Sequence, residues 1–225
     1  MTGVGFDIDH TLAIDNKLER VAFMHLLEIV ERRGGRVLGT LDEESDRIDE
    51  LLKQQRAGAF SIAEAVDRYV RERGLEPSEE YVNRFRQMAV AMVDEFVVPL
   101  PGVGKTLKAL RERGVLVAVL SNGWNPLQVL KAQRAGFDGP VVASADIGTQ
   151  KPSPQAFEAL LSALGTPADA TWYVGDDPRV DVNGARNAGL HAVWFDWEKK
   201  VYPADIPPPS QTIHSLEELL CVPSL

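Results

Sequence analysis

The sequence predicts an α/β protein: a doubly wound, Rossmann-like parallel sheet with an all-helical domain inserted after its first strand. Three observations lead to this fold class. Short Val-rich runs without polar alternation recur along the chain, as is typical of strands buried on both faces of a sheet. Helical patterns separate most of these runs, which is the order of a parallel α/β core. Residues 15–95 interrupt the alternation with helical patterns alone.

The core strands are predicted from five apolar runs. They are GVGFD (3–7), VLVAVLSN (115–122), PVVASADI (140–147), TWYVGDD (171–177) and LHAVWFD (190–196). All of them except 140–147 end in polar, potentially reactive residues, so we expect a functional site at the strand ends.

The core helices are predicted from apolar faces and end signals. They cover residues 102–114, 125–136 and 153–165, and a short helix follows around Leu216–Leu220. In the second of these, Asn125 is expected to be the N-cap, Pro126 the first helical residue and Gly136 the stop.

The block of residues 15–95 contains four successive helical patterns and no convincing strand. In the last pattern, apolar residues recur every three or four positions and give one helix face a continuous stripe. The stripe consists of Tyr81, Phe85, Met88, Met92 and Phe96. We therefore expect two domains, an α/β core of residues 1–14 and 96–225 and a helical domain of residues 15–95.

Composition and charge restrict the class of partner. Apolar residues make up 44% and charged residues 25%, an ordinary globular balance, and the net charge of −9 disfavours nucleic acids and anionic membranes. The one cysteine, Cys221, cannot form an intrachain disulfide, which suits a reducing compartment. No leader pattern precedes the first strand, and no apolar run approaches the roughly 18 residues that cross a bilayer. We expect a soluble cytoplasmic protein and make no prediction of its oligomeric state.

The candidate site residues lie where the predicted strands end. In an open parallel sheet, ligands bind in the crevice beyond the carboxyl ends of the strands. The polar residues at these ends, and at the helix starts that follow them, are Asp7, Asp9, Thr11, Ser121, Asn122, Lys151, Asp176, Asp177 and Asp181. Two acids one residue apart, such as Asp7 and Asp9, repel each other, and burial adds to that cost. A bound cation, a proton held by one of the two acids, or solvent exposure at the strand end would offset it.

The residue types at these ends favour magnesium and phosphate. Several carboxylates suit a hard divalent cation, and Mg²⁺ takes one or two carboxylates together with a substrate phosphate. Zinc is disfavoured because the four histidines are scattered and form no ligand cluster with the cysteine. A hydroxyl, backbone N–H groups at a helix start and a lysine together suit a phosphate group.

Four motifs at these positions, taken in order, resemble those of the haloacid dehalogenase-like (HAD) superfamily, and of its phosphatase branch in particular. The motifs are DIDHT (7–11), LSN (120–122), KP (151–152) and GDDPRVD (175–181). Each stands at a predicted strand end or helix start. The resemblance extends over the whole chain and implies that residues 15–95 are a helical cap domain.

The resemblance also implies roles for individual residues. Asp7 would be the nucleophile that forms an aspartyl-phosphate, and Asp9 would protonate the leaving oxygen and later activate water. Mg²⁺ would be held by the Asp7 side chain, the Asp9 carbonyl and the Asp176 side chain. The implied phosphate-binding residues are Thr11, Ser121, Asn122 and Lys151. Asp177 and Asp181 are expected to orient the lysine or metal-bound waters.

The expected function is Mg²⁺-dependent hydrolysis of a small phosphorylated metabolite through an aspartyl-phosphate. A phosphomutase of the same superfamily stays an alternative, although Thr11 resembles the hydrolase pattern better. Asp9 argues against a dehalogenase, because the leaving group of that reaction needs no proton. From other classes, we keep a phospho-accepting signalling domain and a non-catalytic binding domain as alternatives. The signalling domain is disfavoured because that family carries no inserted cap. The binding domain is disfavoured because all the essential site positions are filled in this chain.

Overall fold

The chain divides into two compact units in the computed structural model, which describes residues 1–222. One unit consists of Met1–Asp15 and the chain from Val97 onward, and the other of Asn16–Phe96. None of the helices in the described residues combines the length and the apolar character needed to span a membrane.

Six of the strands in residues 1–222 form one sheet in which every neighbouring pair is parallel. In chain order, the strands are β1 (Gly3–Phe6), β2 (Ala13–Ile14), β3 (Val98–Pro99), β4 (Leu116–Ser121), β5 (Val141–Ala143), β6 (Thr171–Gly175), β7 (His191–Phe195) and β8 (Gln211–Ile213). The sheet order is β5-β4-β1-β6-β7-β8, and β2 pairs with β3 separately and antiparallel. The predicted α/β class with a parallel sheet is confirmed.

The helices divide between the two units. In chain order, they are α1 (Leu18–Arg32), α2 (Leu41–Arg56), α3 (Ile62–Glu72), α4 (Glu79–Ala91), α5 (Val93–Phe96), α6 (Val103–Glu112), α7 (Leu127–Arg134), α8 (Ser144–Ile147), α9 (Pro154–Leu164) and α10 (Asn183–Asn187). The first five belong to Asn16–Phe96. In the α/β unit, Phe157 and Leu160 of α9 join Tyr173 of β6 in a fully buried cluster. Burial of this apolar surface is the main stabilising contribution to the sheet and its helices.

Two predicted boundaries are wrong. The run 140–147 is a strand only as far as Ala143, because the Ser144 hydroxyl and the Ala145 amide bond to Gly123 and turn the chain into α8. Asn125 is not the N-cap of α7, whose first residue is Leu127. The Asn125 oxygen accepts from the Val129 amide over 3.3 Å, and its amide nitrogen donates to the Asp146 carboxylate over 2.6 Å.

The end of the chain adds an edge strand that the sequence analysis missed. β8 has only three residues and follows a proline-rich connection, so it is too short for a periodicity argument. The predicted terminal helix is present as a 3₁₀ helix over Leu216–Cys221, which begins with a Ser215 capping box.

The unit Asn16–Phe96 has an aromatic core of its own. The Phe23 ring of α1 lies 5.1 Å from the Tyr69 ring and 4.6 Å from the Phe85 ring, measured between centroids. Tyr81 and Phe85 of the predicted stripe are buried, as expected for residues on the inner face of α4. The other three stripe residues are half-buried, and α4 ends at Ala91 before the last two of them.

A fully buried ion pair, Arg73 with Glu44, lies in this helical unit. Arg73 also donates from Nη1 to the Tyr69 carbonyl over 2.9 Å, and the second Glu44 oxygen accepts from the Leu38 amide over 2.7 Å. These bonds compensate two charges that have lost their water. Removal of one partner would leave the other charge buried and uncompensated.

We therefore expect Arg73→Met to lower the free energy of unfolding by about 3–5 kcal/mol. The exposed pair of Arg33 and Glu80 provides a matched control, and Arg33→Met is expected to cost less than about 1 kcal/mol. Urea unfolding followed by far-UV circular dichroism measures both. Equal losses in the two variants would contradict the argument from burial.

Candidate active site

The carboxyl ends of three adjacent strands bring the candidate residues together. Asp7 follows β1, Asp176 follows β6, and Ser121 is the last residue of β4. The Asp7 amide donates to the Val174 carbonyl over 2.9 Å and so extends the β1–β6 pairing to the acid itself. Because β1 lies between β4 and β6, Asp7 stands in the middle of this edge of the sheet.

Lys151 is buried at this edge and uses all three of its N–H donors there. Its ammonium lies 2.8 Å from Asp7 Oδ1 and 2.8 Å from Asp181 Oδ1, and it donates to the Tyr173 hydroxyl over 2.9 Å. The Tyr173 hydroxyl in turn donates to the Leu120 carbonyl over 2.8 Å. The lysine is therefore held from three directions and points at the candidate nucleophile.

Asp181 reaches Lys151 from a tight turn over Pro178–Val182 that follows β6. The Asp177 carboxylate begins this turn by accepting from the amides of Arg179 and Val180 over 2.7 and 2.9 Å. The Asp177 amide donates to Asp181 Oδ2 over 3.0 Å. A Cβ at Gly175 would overlap the Asp181 side chain, so only glycine permits this close approach. Asp181 thus contacts the lysine directly, and Asp177 holds the turn that carries Asp181.

Three of the acids form a compact cluster of oxygens. Asp7, Asp176 and Asp181 each place one carboxylate oxygen within 4.8 Å of the others. Both Asp181 oxygens are already engaged, one by Lys151 and one by the Asp177 amide. In contrast, the Asp176 carboxylate accepts no hydrogen bond from residues 1–222. Asp7 and Asp176 therefore have the oxygens that remain for a ligand.

Burial makes this cluster costly to ionise. It raises the pKa of Asp7 to about 6, with Lys151 opposing the rise and Asp181 adding to it. Burial, followed by the charges of Asp181 and Asp7, raises the pKa of Asp176 to about 8. Burial disfavours the charge of Lys151, yet Asp181 and Asp7 raise its pKa well above the usual value. One lysine does not neutralise three acids, so an added cation would stabilise the ionised cluster.

Asp9 lies in the loop after β1, and its side chain turns to a different lysine. Lys131 of α7 is 2.9 Å from Asp9 Oδ1 and 2.8 Å from Asp15 Oδ2. The Lys131 side chain is only 2% exposed, whereas that of Asp9 is 33% exposed. The two acids of the first motif are thus paired with two separate buried lysines.

The candidate phosphate-binding residues are held in different ways. Ser121 is buried, and its hydroxyl donates to Gln128 Oε1 over 3.1 Å. The Asn122 amide is committed to the backbone of Lys151: it accepts from the Lys151 N–H over 2.8 Å and donates to the Lys151 carbonyl over 2.9 Å. Thr11 is fully buried, and its hydroxyl has no hydrogen-bond partner within residues 1–222.

Comparison with known proteins assigns the family. The family model for haloacid dehalogenase-like hydrolases matches residues 1–189, most of the chain. The chain belongs to the haloacid dehalogenase-like hydrolase family. This confirms the resemblance inferred from the four motifs, and it confirms the prediction of an enzyme that is a hydrolase.

Named relatives of this HAD hydrolase include phosphatases. It is 33% identical over 134 residues to the pyrimidine 5′-nucleotidase YjjG of Escherichia coli, a match that covers 56% of this chain and 59% of that protein. It is 28% identical over 198 residues to the glyceraldehyde 3-phosphate phosphatase of Pyrococcus furiosus, covering 86% and 80% of the two chains. In fold, it matches the magnesium-bound HAD-hydrolase YfnB of Bacillus subtilis with a TM-score of 0.72 at 21% identity, over 98% of this chain and 97% of that one.

Four residues that contact the candidate site residues of this HAD hydrolase were not predicted from the sequence. These residues are Asp15, Gln128, Lys131 and Tyr173. Gln128 and Lys131 occupy the buried face of α7 together with Leu127 and Ala132. Polar residues on an apolar helix face are the signal that would have identified them. Tyr173 lies inside an apolar strand, where its hydroxyl gives no sequence signal.

Proposed function

We propose that this HAD hydrolase is a Mg²⁺-dependent phosphomonoesterase that acts on a small phosphorylated metabolite through an aspartyl-phosphate on Asp7. The observation that carries the proposal is the 2.8 Å contact between the Asp7 carboxylate and the buried Lys151 ammonium, with Asp176 in the same oxygen cluster. A carboxylate held in this way can attack phosphorus while the lysine remains beside the group being transferred.

The named relatives support the reaction class. A pyrimidine 5′-nucleotidase and a glyceraldehyde 3-phosphate phosphatase have in common a small phosphorylated substrate. Because neither protein exceeds 33% identity with this chain, the proposal extends to the class of reaction, and a screen of metabolites is needed to identify the particular substrate.

The donor set at the cluster fits Mg²⁺. Asp7 and Asp176 supply carboxylate oxygens, which a hard cation prefers. The amides of Thr11, Leu12 and Ala13 all donate to the Ile8 carbonyl, which leaves the Asp9 carbonyl for the role of third protein ligand. When bound, Mg²⁺ would neutralise charge on the phosphoryl oxygens. Asp181, whose oxygens are both engaged, would support Lys151 rather than the metal.

In the first step, an Asp7 oxygen attacks phosphorus, and the bond between phosphorus and the ester oxygen breaks. Asp9 supplies a proton to that leaving oxygen as the alcohol departs. The product on the enzyme is an acyl phosphate, a mixed anhydride of the Asp7 carboxyl group and phosphate, in which the Asp7 oxygens carry less negative charge than those of the free carboxylate.

In the second step, water attacks the same phosphorus while Asp9, now ionised, accepts its proton. The bond between phosphorus and the Asp7 oxygen breaks, which restores the Asp7 carboxylate and releases inorganic phosphate. Asp9 ends the cycle protonated and ready for the next substrate.

Lys151 must exchange a partner during this cycle, because all three of its donors are engaged in the structure. We propose that it releases Asp7 when that carboxylate becomes phosphorylated and then donates to a phosphoryl oxygen. Asp181 and Tyr173 keep the ammonium in place during the exchange. Asn122 is proposed to act through the Lys151 backbone that it holds, while Ser121 and Thr11 stay predicted phosphate-binding residues.

The helical unit is proposed to be a cap that contributes to substrate selection. The support for this is its insertion point. The chain leaves the α/β unit after β2 and returns at β3, and these two short strands pair with each other. We infer that residues 15–95, between these strands, carry the side chains that distinguish one metabolite from another.

A screen of phosphorylated metabolites with Mg²⁺, read out as released inorganic phosphate, tests the proposal. Nucleoside monophosphates, triose phosphates and phosphorylated amino acids are the first compounds to include. Conversion of a sugar phosphate to its isomer without phosphate release would favour the phosphomutase alternative. Absence of turnover on all classes would contradict the proposed function.

Activity is expected to disappear when Mg²⁺ is removed by a chelator and to return when excess Mg²⁺ is added. The reason is the cluster of Asp7 and Asp176 oxygens, which has no soft ligand beside it. Zinc added in place of Mg²⁺ is the control and is expected to restore less activity. Full turnover by protein shown to be metal-free would contradict the prediction.

A further inference from the structure

We propose that Lys131 is the positioning residue for Asp9 and that Asp15 is the second support of this lysine. The inference rests on the proposed function, because it assigns the control of the acid–base group in that reaction. We call the three side chains, Asp9, Lys131 and Asp15, the Lys131 clamp. None of the four motifs contains Lys131 or Asp15.

The first argument is the cost of placing a lysine at this point. Only 2% of the Lys131 side chain is exposed, so its ammonium has lost almost all of its water. Contacts of 2.9 Å with Asp9 and 2.8 Å with Asp15 replace part of that water. A leucine would fill the same face of α7 without this cost, so the charge of Lys131 is expected to have a function of its own.

The second argument is the freedom that Asp9 would otherwise have. Asp9 lies in a loop, a third of its side chain is exposed, and its bond from Lys131 is the one hydrogen bond to its carboxylate from residues 1–222. Lys131 takes Oδ1 and leaves Oδ2 for proton exchange. Without Lys131, the carboxylate would sample several rotamers, and proton transfer is sensitive to such misplacement.

The third argument is the part played by Asp15. Asp15 is the residue directly after β2, and its side chain is only 12% exposed. Its bond keeps the Lys131 ammonium in place whether Asp9 is ionised or protonated. The clamp therefore positions Asp9 in both half-reactions, although the charge of Asp9 changes between them.

Lys131→Met tests the inference, because methionine keeps the length of the side chain and removes the charge. With an alkyl phosphate, whose leaving oxygen needs a proton, we expect kcat to fall by about 10- to 100-fold, a part of the full contribution of a general acid. With p-nitrophenyl phosphate, the first step should change by less than about threefold, because nitrophenolate leaves without protonation. KM should stay unchanged for both substrates. Lys131→Arg should restore much of the lost rate.

Three further variants keep the test decisive. Gln133→Met, on the exposed side of the same helix, is the matched control and should leave all rates unchanged. Asp15→Asn should shift the rates in the same direction as Lys131→Met but by less, and it keeps the lysine if the methionine variant fails to fold. In an Asp9→Asn background, Lys131→Met should cause no further loss with the alkyl phosphate, because the group that it positions is already gone.

The outcomes separate this inference from the proposed function. If the wild-type protein hydrolyses phosphate esters but Lys131→Met and Asp15→Asn slow the first step equally with both kinds of substrate, the clamp is structural and the inference is wrong. The same conclusion follows if Lys131→Met costs as much in the Asp9→Asn background as it does alone. A wild-type protein that releases no phosphate from any ester overturns both proposals.

Discussion

Replacement of Asp7 by Asn is expected to eliminate phosphate release from every substrate that the wild-type protein hydrolyses. Removal of a covalent nucleophile costs of order 10⁶-fold in kcat in enzymes that act through one. No phosphoryl group should appear on the protein, because an amide oxygen is a poor nucleophile. Steady-state phosphate release, followed by mass spectrometry of the quenched protein, measures both expectations.

The fold should tolerate Asp7→Asn, so the loss will report chemistry. Asparagine has the shape of aspartate, and its Oδ1 can still accept from Lys151 at the position that Asp7 Oδ1 occupies. Burial already disfavours the charge of Asp7, as its raised pKa indicates. Asp205→Asn, the same substitution at an exposed aspartate of the α/β unit, is the control and should retain wild-type turnover. Wild-type turnover by Asp7→Asn would refute the mechanism.

Asp9→Asn is expected to separate the two half-reactions. It leaves Asp7 and the Asp9 backbone carbonyl in place, so Mg²⁺ should still bind. It removes the proton donor of the first step and the base of the second, each worth about 10²–10⁴-fold. Alkyl phosphates should therefore lose far more rate in the first step than an aryl phosphate. The aspartyl-phosphate should persist, because its hydrolysis is slowed.

Mass spectrometry of Asp9→Asn protein, quenched during incubation with p-nitrophenyl phosphate, tests this directly. The expected result is one added phosphoryl group on the peptide that contains Asp7. The double variant Asp7→Asn/Asp9→Asn is the matched control and should gain none. A phosphoryl group on a serine or histidine, or unchanged turnover of alkyl phosphates, would be incompatible with the assigned roles.

The sequence was sufficient to predict the parallel sheet and the edge of it that carries the candidate residues. β1 and β6 are buried along their whole length, and this is why they read as unbroken apolar runs ending at Asp7 and Asp176. The four motifs were enough to identify the family, because they occur in the expected order and each lies at the predicted end of a strand or start of a helix.

Boundaries were less predictable where side chains compete with the backbone pattern. The change from β5 to α8 depends on bonds between Gly123 and the residues Ser144 and Ala145, which are far away along the chain. At the start of α7, the Asn125 side chain bonds in two directions. Its oxygen accepts from the Val129 amide over 3.3 Å, and its nitrogen donates to Asp146, while the helix begins only at Leu127. In both places, a hydrogen bond between residues far apart along the chain takes part in fixing the backbone path, and a local pattern carries no record of it.

By itself, the sequence determined the residue types at the strand ends, and with them the class of chemistry that the site can support. Only the tertiary structure decided which lysine meets which acid. Lys151 turns to Asp7, and Lys131 turns to Asp9, although Asp7 and Asp9 are separated by one residue. The physical reason is that a buried charge must find its partner across the fold, and the spacing along the chain carries no record of that pairing.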